Sequence, residues 1–521
     1  MGDEKSTDPF LRPPPHGEAE TSWALLDLLA YTADRENSTS ACGKMSNGKD
    51  VRVTFCTAPP PLVSYICVWC PDLEPADQLS VRSRIEAADS DLVLLSVSIR
   101  SVRGHCDCFL YKANGGKGTP SLRLVELPDD FPNTRYDIAL VARSDVVSLR
   151  QQSEVAGKRF RLRPHGEGDA VERFGLRPHG EGDALERLGE GDAVERFRLR
   201  PHGEADSGFY VAALSHETDG VFKLWVFDSE GDQWTRKPVH VPCPFYHHTR
   251  KAINLGGGLV AFADPWQGIV VCDVLCRRPP RYMLLPPELV RNDRCDHPLL
   301  FRDIAVVEGR LTLIRLWNIG EPDTDRNCWS WEASTWSRKV TPLWEEDWRQ
   351  DYVVQSGDVE VDMDAVDNVG LLPEVEDVDG VMKPCLEMRY TAHPTLSLSD
   401  SHVFHFMAKV GRLDKKALVL SIDLKKPRLL GLARFDAERM LGHPFSYAYM
   451  QSWIPRYFNP GVGETLKRSG KFHVTYPRKL HARSIVMGDE MYMPISGAVQ
   501  EKHVTGSSKG AELKDNFMDV D

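Results

Sequence analysis

The stretch from Gly256 to Trp344 decides which fold the sequence predicts. It begins GGGLVAFADPWQGIVVCDVLCRRPPRYMLL at 256–285, continues LFRDIAVVEGRLTLIRLWNI at 300–319 and ends CWSWEASTWSRKVTPLW at 328–344. Short apolar runs alternate here with Gly, Pro, Asp and Asn, which is typical of strands joined by turns. The stretch therefore predicts an all-β fold of repeated antiparallel sheets, arranged like the blades of a propeller.

The same alternation extends to both sides of this stretch. It predicts further strands at 51–55, 62–69, 91–99, 108–112, 121–127, 138–142, 386–390, 402–410 and 417–423. One segment near the N-terminus has helical spacing instead, with Trp23, Leu26, Leu29 and Ala30 on one face and Thr21-Ser22 as a cap. We therefore expect a short helix over 23–31 that packs on the sheets.

Between residues 143 and 207 the pattern is interrupted by near-identical repeats. LRPHGEGDAVERFG at 162–175 is followed by LRPHGEGDALERLG at 176–189, a partial copy at 190–198 and LRPHGE at 199–204. A related fragment, LRPPPHGEAE, occupies 11–20. The unit has too little apolar surface to offset the entropy of ordering it, so we expect a disordered inserted loop. Three histidines of the repeats could bind a metal ion only if the loop folded back on itself: His165, His179 and His202.

A second, acidic loop is predicted at 357–382. Residues 358–381 carry nine carboxylates and no basic residue, which favours a flexible, solvated segment. Asp358, Asp362 and Asp364 lack the central Gly and closing Glu of a calcium-binding loop. The sequence thus predicts a disordered tail at 1–20, one β domain at 21–457 and a mostly disordered C-terminal tail at 458–521.

Composition and charge argue against several classes of protein. The chain of 521 residues has 64 basic and 76 acidic side chains, a net charge of −12, whereas a nucleic-acid partner needs clustered Lys and Arg. No apolar run is long enough to cross a membrane, and the acidic, Pro-rich N-terminus lacks the apolar core of a signal peptide. The 12 cysteines are then expected to be reduced thiols of an intracellular protein, either cytoplasmic or nuclear.

Pairs of cysteines and histidines suggest metal sites that strand geometry disfavours. Cys67 and Cys70 are three residues apart and would point to opposite faces of a strand, as would His402 and His405. Cys106 and Cys108 share a face beside His105, but no second pair follows at zinc-finger spacing. Buried structural thiols are the favoured interpretation.

No motif assigns chemistry to a residue. Nucleotide-binding, kinase, nucleophile-elbow and zinc-helix patterns are absent from the sequence, and Gly256-Gly257-Gly258 lacks dinucleotide-binding spacing. His247-His248 lies in a predicted loop without further support. Five tryptophans could form an aromatic ligand surface, although packing between sheets is favoured: Trp329, Trp331, Trp336, Trp344 and Trp348. We predict no catalytic, cofactor-binding or metal-binding residues, and no cofactor.

Several phrases together resemble one known family. They are WALLDL at 23–28, ADRENST at 33–39, PPPLVSY at 59–65, WQGIVVCDVL at 266–275 and RDIAVV at 302–307. They are similar to a plant family, largely of cereals, called domain of unknown function 1618 (DUF1618), over about residues 22–455. The resemblance implies a propeller-like domain akin to the kelch-like β domains attached to F-box proteins, with no established activity. This chain departs from the family by its repeats, which fall between two predicted strands of one blade.

The resemblance and the fold together suggest binding rather than catalysis. We expect a non-enzymatic scaffold that binds a protein partner through loops at one end of the propeller, where binding surfaces are usually built. A substrate-recognition component of a ubiquitin ligase without its own F-box is one alternative, which a complex with the ligase adaptor would favour. The other is a hydrolase or carbohydrate-binding protein at the propeller mouth, which a deep pocket with converging carboxylates and a histidine would favour.

Overall fold

The structure, a computed structural model, forms a propeller of six blades. It describes residues 8–78, 80–99, 106–114, 119–131, 138–143, 208–218, 220–244, 246–290, 297–323, 328–340, 346–376, 380–387, 390–411, 414–440 and 448–458. The prediction of an all-β, propeller-like fold is confirmed, because six sheets account for nearly all regular structure in these residues. Among them, no helix is both long and apolar enough to span a bilayer.

Successive strands of the chain build successive blades. Blade 1 contains β1 (Ala24–Asp27), β2 (Tyr31–Thr32), β3 (Ala41–Lys44), β4 (Asp50–Cys56) and β5 (Val63–Trp69), and a short helix, α1 (Pro75–Gln78), follows. Blade 2 contains β6 (Val81–Asp89), β7 (Leu92–Ile99), β8 (Cys106–Lys112) and β9 (Ser121–Val125). Blade 3 contains β10 (Ile138–Ala142), β11 (Phe209–Thr218), β12 (Val221–Asp228) and β13 (Gln233–His240). 

The second half of the chain repeats this arrangement. Blade 4 contains β14 (Lys251–Gly256), β15 (Leu259–Asp264), β16 (Gly268–Asp273) and β17 (Arg281–Leu284). Blade 5 contains β18 (Arg302–Val307), β19 (Arg310–Asp323), β20 (Cys328–Lys339) and β21 (Arg349–Gln355). A hairpin of β22 (Glu374–Glu376) and β23 (Met382–Pro384) precedes blade 6, which contains β24 (Tyr390–Leu396), β25 (Val403–Lys409), β26 (Lys416–Asp423) and β27 (Arg428–Asp436).

Blade 1 is completed by strands from both ends of the domain. The last strand, β28 (Tyr449–Ser452), pairs antiparallel with β1, with Gln451 opposite Leu25. On its other side β1 pairs in parallel with β5. The ring is therefore closed by hydrogen bonds between segments more than 400 residues apart in the sequence.

The prediction of a helix over 23–31 is wrong. Residues 24–27 form β1, and all four of its side chains are buried. Leu25 and Leu26 are buried in two different core clusters, so both faces of β1 carry apolar side chains, and periodicity cannot distinguish such a run from a buried helix. Before β1, the described residues contain only one helical turn, the 3-10 turn Pro9–Leu11.

The hydrophobic core lies between neighbouring blades. Trp331 packs with Phe404 and Phe406 between blades 5 and 6, and Trp336 packs with Leu313 between blades 4 and 5. The two indole rings are 0% and 2% exposed, so both contribute to the core rather than to a surface. Ridges of large side chains between blades fix the sheets relative to one another.

The repeats leave blade 3 intact. The segment 144–207 lies outside the described residues, but β10 and β11 on either side of it pair along the whole length of β10. The register ends with Ala142 opposite Phe209, and Arg143 N then donates to Gly208 O at 2.8 Å. The two ends of the insertion are thus held together by strand pairing, as in a β-hairpin with a long loop.

The acidic segment at 357–382 contributes to the core. Val366, Val369 and Leu372 are buried in the apolar cluster between blades 5 and 6. Its end forms the hairpin of β22 and β23. The carboxylates at 358–376 are exposed while apolar residues between them pack inward, so the charge count alone did not predict the buried face.

Candidate functional site

Three buried polar side chains meet where the innermost strands of blades 1, 4 and 5 converge, and we call them the axial cluster. They are Lys251 on β14, Asp303 on β18 and Gln451 on β28, with 8%, 3% and 7% exposure. Lys251 Nζ donates to Asp303 Oδ1 at 2.6 Å and to Gln451 Oε1 at 3.1 Å. Gln451 Nε2 donates to Asp303 Oδ2 at 2.9 Å. The cluster therefore joins three blades across the propeller axis.

Asp303 is fully engaged in this cluster. Its Oδ2 also accepts from the backbone N of Leu396 on β24, at 2.9 Å, which adds blade 6 to the network. The hydroxyl of Tyr449 is buried nearby, and burial first, then the charge of Asp303, raises the pKa of that phenol. A buried carboxylate is stable only when paired and hydrogen-bonded, as here. The arrangement suits a structural joint between blades better than a carboxylate available for acid–base chemistry.

A cleft of about 700 Å³ lies between blades 4 and 5, and we call it the β17 cleft. One wall is formed by Val271 and residues 281–288, and the other by Arg338, Asp347 and Trp348. Trp348 Nε1 donates to Leu284 O at 2.9 Å, so the indole is held against the end of β17. Beneath it, Trp336 Nε1 donates to Glu288 Oε1 at 2.9 Å.

The surface of the β17 cleft is apolar with charges at its edge. Leu284 is 50% exposed, and Trp348 is half-buried beside it. The guanidinium of Arg338 lies 5.7 Å from the Trp348 ring centroid, and its burial lowers the pKa of that group. Strand β17 is the last of its sheet, and such an edge presents backbone groups to a further strand. The cleft can therefore hold an extended chain segment that carries an apolar side chain.

The tryptophans considered in the sequence analysis lie in different environments in the structure. Trp331 and Trp336 are in the core, as favoured, whereas Trp348 lines the β17 cleft. Trp329 is half-buried, and Trp344 lies outside the described residues. The sequence marked Trp348 as aromatic but could not place it beside β17, because the two are more than 60 residues apart.

Of the Cys and His pairs that strand geometry disfavoured as metal sites, Cys67–Cys70 and His402–His405 do not converge. Cys67 belongs to a small cluster with Tyr31 and Tyr65, while Cys70 is in the main core of blade 1, so the two face opposite sides as expected. His405 is buried against Ser421 Oγ at 2.6 Å, away from His402, whose Nε2 lies 3.9 Å from Asp423. 

The other candidate histidines and carboxylates also stay apart. His247 is buried against Phe222 and Tyr282, while His248, the next residue of the same loop, is exposed. His105 and the repeat histidines lie outside the described residues. In the part of the chain that the structure covers, no three His, Cys, Asp or Glu side chains come close enough to hold a metal ion.

Comparison with known protein families gives a match to the middle of the chain. Residues 263–405 match the family model described as "Protein of unknown function (DUF1618)". This segment of the chain is therefore similar to the DUF1618 family. The DUF1618 segment contains Asp303, every residue that lines the β17 cleft and the strands of blade 5. No curated protein matches the sequence.

Proposed function

We propose that this protein is a non-enzymatic scaffold that binds an extended segment of a partner protein in the β17 cleft. The observation that carries the proposal is the edge strand β17 next to a half-buried Trp348 and a half-exposed Leu284. An extended peptide can add to such an edge through backbone hydrogen bonds, while pockets for alternate side chains supply specificity. The short strand, of four residues, suits a weak and transient interface.

Charges at the rim of the cleft define the kind of segment that fits. Arg281 and Glu288 are exposed on one wall and Asp347 on the other, so the rim carries charges of both signs. Rim charges change the rate of association more than the affinity, whereas buried aromatic anchors dominate the binding free energy. The segment that fits best has an apolar residue for the Leu284–Trp348 surface, flanked by charged residues of both signs.

The axial cluster weighs against a hydrolase at the propeller mouth. That alternative needs converging carboxylates with a free histidine, whereas Asp303 already accepts from Lys251, Gln451 and Leu396 N. Ionised groups that are already paired in a buried site make poor general acids or bases. The cleft between blades, rather than the axis, is therefore the site that we propose for binding.

The experiment uses full-length protein with a photo-reactive amino acid in place of Arg281, exposed on β17. Proteins from cells that express the chain are captured, cross-linked and identified by mass spectrometry. We expect a partner whose cross-linked peptide is lost or reduced at least tenfold by Leu284→Asp and by Trp348→Ala, since truncating an interface Trp costs about 2 kcal/mol or more. Unchanged urea midpoints would show that these variants are folded.

The matched control is Leu430→Asp on β27 of blade 6, where Leu430 is 39% exposed. It changes an exposed leucine in the same way but outside the cleft, so cross-linking should persist. If partners are captured equally well by all three variants, or if no peptide cross-links at position 281, the proposal is wrong. A ubiquitin-ligase adaptor bound outside the cleft would instead support that alternative.

A further inference from the structure

Residues 8–20, which the sequence assigned to a tail, lie along blade 1, and we call them the N-terminal arm. Thr57 N donates to Gly17 O at 2.9 Å, and Ala19 N donates to Thr57 O at 3.1 Å, so the arm runs beside the end of β4. Thr57 Oγ1 also donates to Ala19 O at 2.8 Å. These contacts go to the backbone of the arm and would accept any sequence able to take the same conformation.

Side chains of blade 1 hold the preceding residues of the arm. The hydroxyl of Tyr65 lies 2.7 Å from Pro14 O and 2.6 Å from His16 O, and Arg35 Nη2 donates to Pro14 O at 3.0 Å. His16 Nε2 lies 3.0 Å from Val63 O and can only donate there, since a carbonyl oxygen accepts. The His16 ring also packs edge-on against Tyr65 at 5.7 Å. The groove therefore selects a histidine at this position.

The next position selects glycine. Gly17 has φ of +140°, which side-chain-bearing residues rarely adopt, and a Cβ there would lie 2.6 Å from Cys56 Cβ. Backbone and neighbour both exclude any larger residue. We call Arg35, Cys56, Val63 and Tyr65 the arm groove, and its contacts recognise the dipeptide His-Gly in an extended segment.

The same dipeptide occurs in every full copy of the repeats. Residues 201–205 read PHGEA, identical to residues 15–19 of the arm, and PHGEG occurs at 164–168 and 178–182. The groove makes its other contacts to backbone atoms, so each copy carries all that the groove recognises. We propose that the arm groove is a binding site for the Pro-His-Gly-Glu units of the repeats, which exchange with residues 14–19 of the arm.

Contacts outside the shared string favour the arm as the resident segment. Arg12 pairs with Glu438 at 2.8 Å, and Asp8 pairs with Arg82 at 2.9 Å. Phe10 is buried below the guanidinium of Arg82, at 4.3 Å. In the repeats, Arg stands two rather than four residues before His, so the pair with Glu438 is not reproduced in the same register. A variant in which the arm binds the groove less tightly should therefore have a repeat in the groove instead.

Labelling of Cys56 reports whether the groove is filled. This residue is 2% exposed beneath Gly17, and Cys67, Tyr65 and Arg35 lower the pKa of its thiol despite burial. An uncovered thiol of this kind reacts readily with iodoacetamide, because the thiolate is the nucleophile. Peptide mapping by mass spectrometry then gives the rate at Cys56 alone.

The experiment compares three forms of the full-length chain. Gly17→Val expels the arm, and a quadruple variant adds Gly166→Val, Gly180→Val and Gly203→Val, which gives each repeat the same clash. We expect slow labelling of Cys56 in the wild type, slow to intermediate labelling in Gly17→Val, and labelling at least tenfold faster in the quadruple variant. Equal rates in Gly17→Val and the quadruple variant would overturn the proposal. Similar urea midpoints for the three forms would show that all of them are folded.

Direct binding provides an independent measurement. A fluorescent peptide of residues 197–207, FRLRPHGEADS, is titrated into the quadruple variant and followed by anisotropy. It should bind saturably, at least tenfold more tightly than the same peptide carrying Gly203→Val, and should slow the labelling of Cys56. Equal binding of both peptides, or binding that leaves Cys56 labelling unchanged, places the site elsewhere and contradicts the proposal.

Discussion

Asp303 shows how much one buried side chain can contribute at the residue scale. It accepts hydrogen bonds from Lys251, Gln451 and the backbone of Leu396. Asp303→Ala leaves Lys251 buried without its counter-charge, and breaking a buried pair in this way costs about 3–5 kcal/mol. We expect a loss of that size in the free energy of unfolding, measured by urea denaturation.

The control for Asp303 is an ion pair at the surface. Lys44 and Asp50 are 2.6 Å apart, with side chains 70% and 50% exposed, so Lys44→Ala should change the free energy of unfolding little. The double variant Lys251→Met and Asp303→Ala should lose less stability than Asp303→Ala alone, because no charge remains unpaired. A loss from Asp303→Ala as small as that from Lys44→Ala would contradict the role of the axial cluster.

His405 should make stability depend on pH. Complete burial lowers the pKa of this histidine to about 3, whereas an unfolded histidine has a pKa of about 6.5. The unfolded chain therefore binds the additional proton below pH 6.5, and the free energy of unfolding falls as pH drops from 6.5 towards 3. Between pH 7 and pH 5 this linkage amounts to about 2 kcal/mol.

A variant without this imidazole tests the assignment. His405→Gln keeps a polar group near Ser421 but cannot take up the proton, so it should lose about 2 kcal/mol less than the wild type between pH 7 and pH 5. Urea denaturation at both pH values gives the difference. His240→Gln, at an exposed position on β13, is the matched control and should behave like the wild type. The same pH dependence in His405→Gln as in the wild type would contradict the assignment.

At the scale of elements, a buried strand bounded by turn residues was predictable from the sequence, as for β16, whereas the equally buried β1 was not. The run at 269–273 is predicted as a strand because a turn ends it, and it lies within β16. Residues 24–26 have the same apolar character, but the sequence does not show that they pair with β28 and β5. The polar residues of the axial cluster were missed for a related reason, since a lysine that opens a strand usually faces solvent.

Insertions at the element scale are tolerated when the strands around them pair fully. The sequence shows where the repeats begin and end, but the pairing of Ala142 with Phe209 had to come from the structure. Because loop-closure entropy grows only slowly with length, a long insertion between paired strands costs little. For the N-terminal arm, the sequence shows the resemblance to the repeats but does not show the groove in which the arm lies.

At the scale of the whole molecule, stability depends on how the ring closes. Four residues of β28 pair with four residues of β1, and Gln451 from β28 enters the axial cluster. Arg439, just after blade 6, donates to Leu29 O at 2.6 Å and pairs with the buried carboxylate of Asp27. Its guanidinium also lies 3.6 Å from the ring of Tyr31. Blades 6 and 1 are thus joined by a strand pair and a buried ion pair.

Truncation tests this closure. A chain that ends at residue 447 lacks β28, which leaves Lys251 and Asp303 without Gln451 and exposes the edge of β1. We predict a single cooperative urea transition for the full chain, followed by tryptophan fluorescence, and expect the shorter chain to lose it, because long-range pairing of the two ends completes blade 1. A chain that ends at residue 458 keeps β28 and the contact of Phe458 with Phe55 at 5.5 Å, so its transition should match the full chain. A synthetic peptide of residues 448–458 should restore part of the transition to the shorter chain. If the chain ending at 447 unfolds as cooperatively as the longer one, the ring does not depend on its terminal strand.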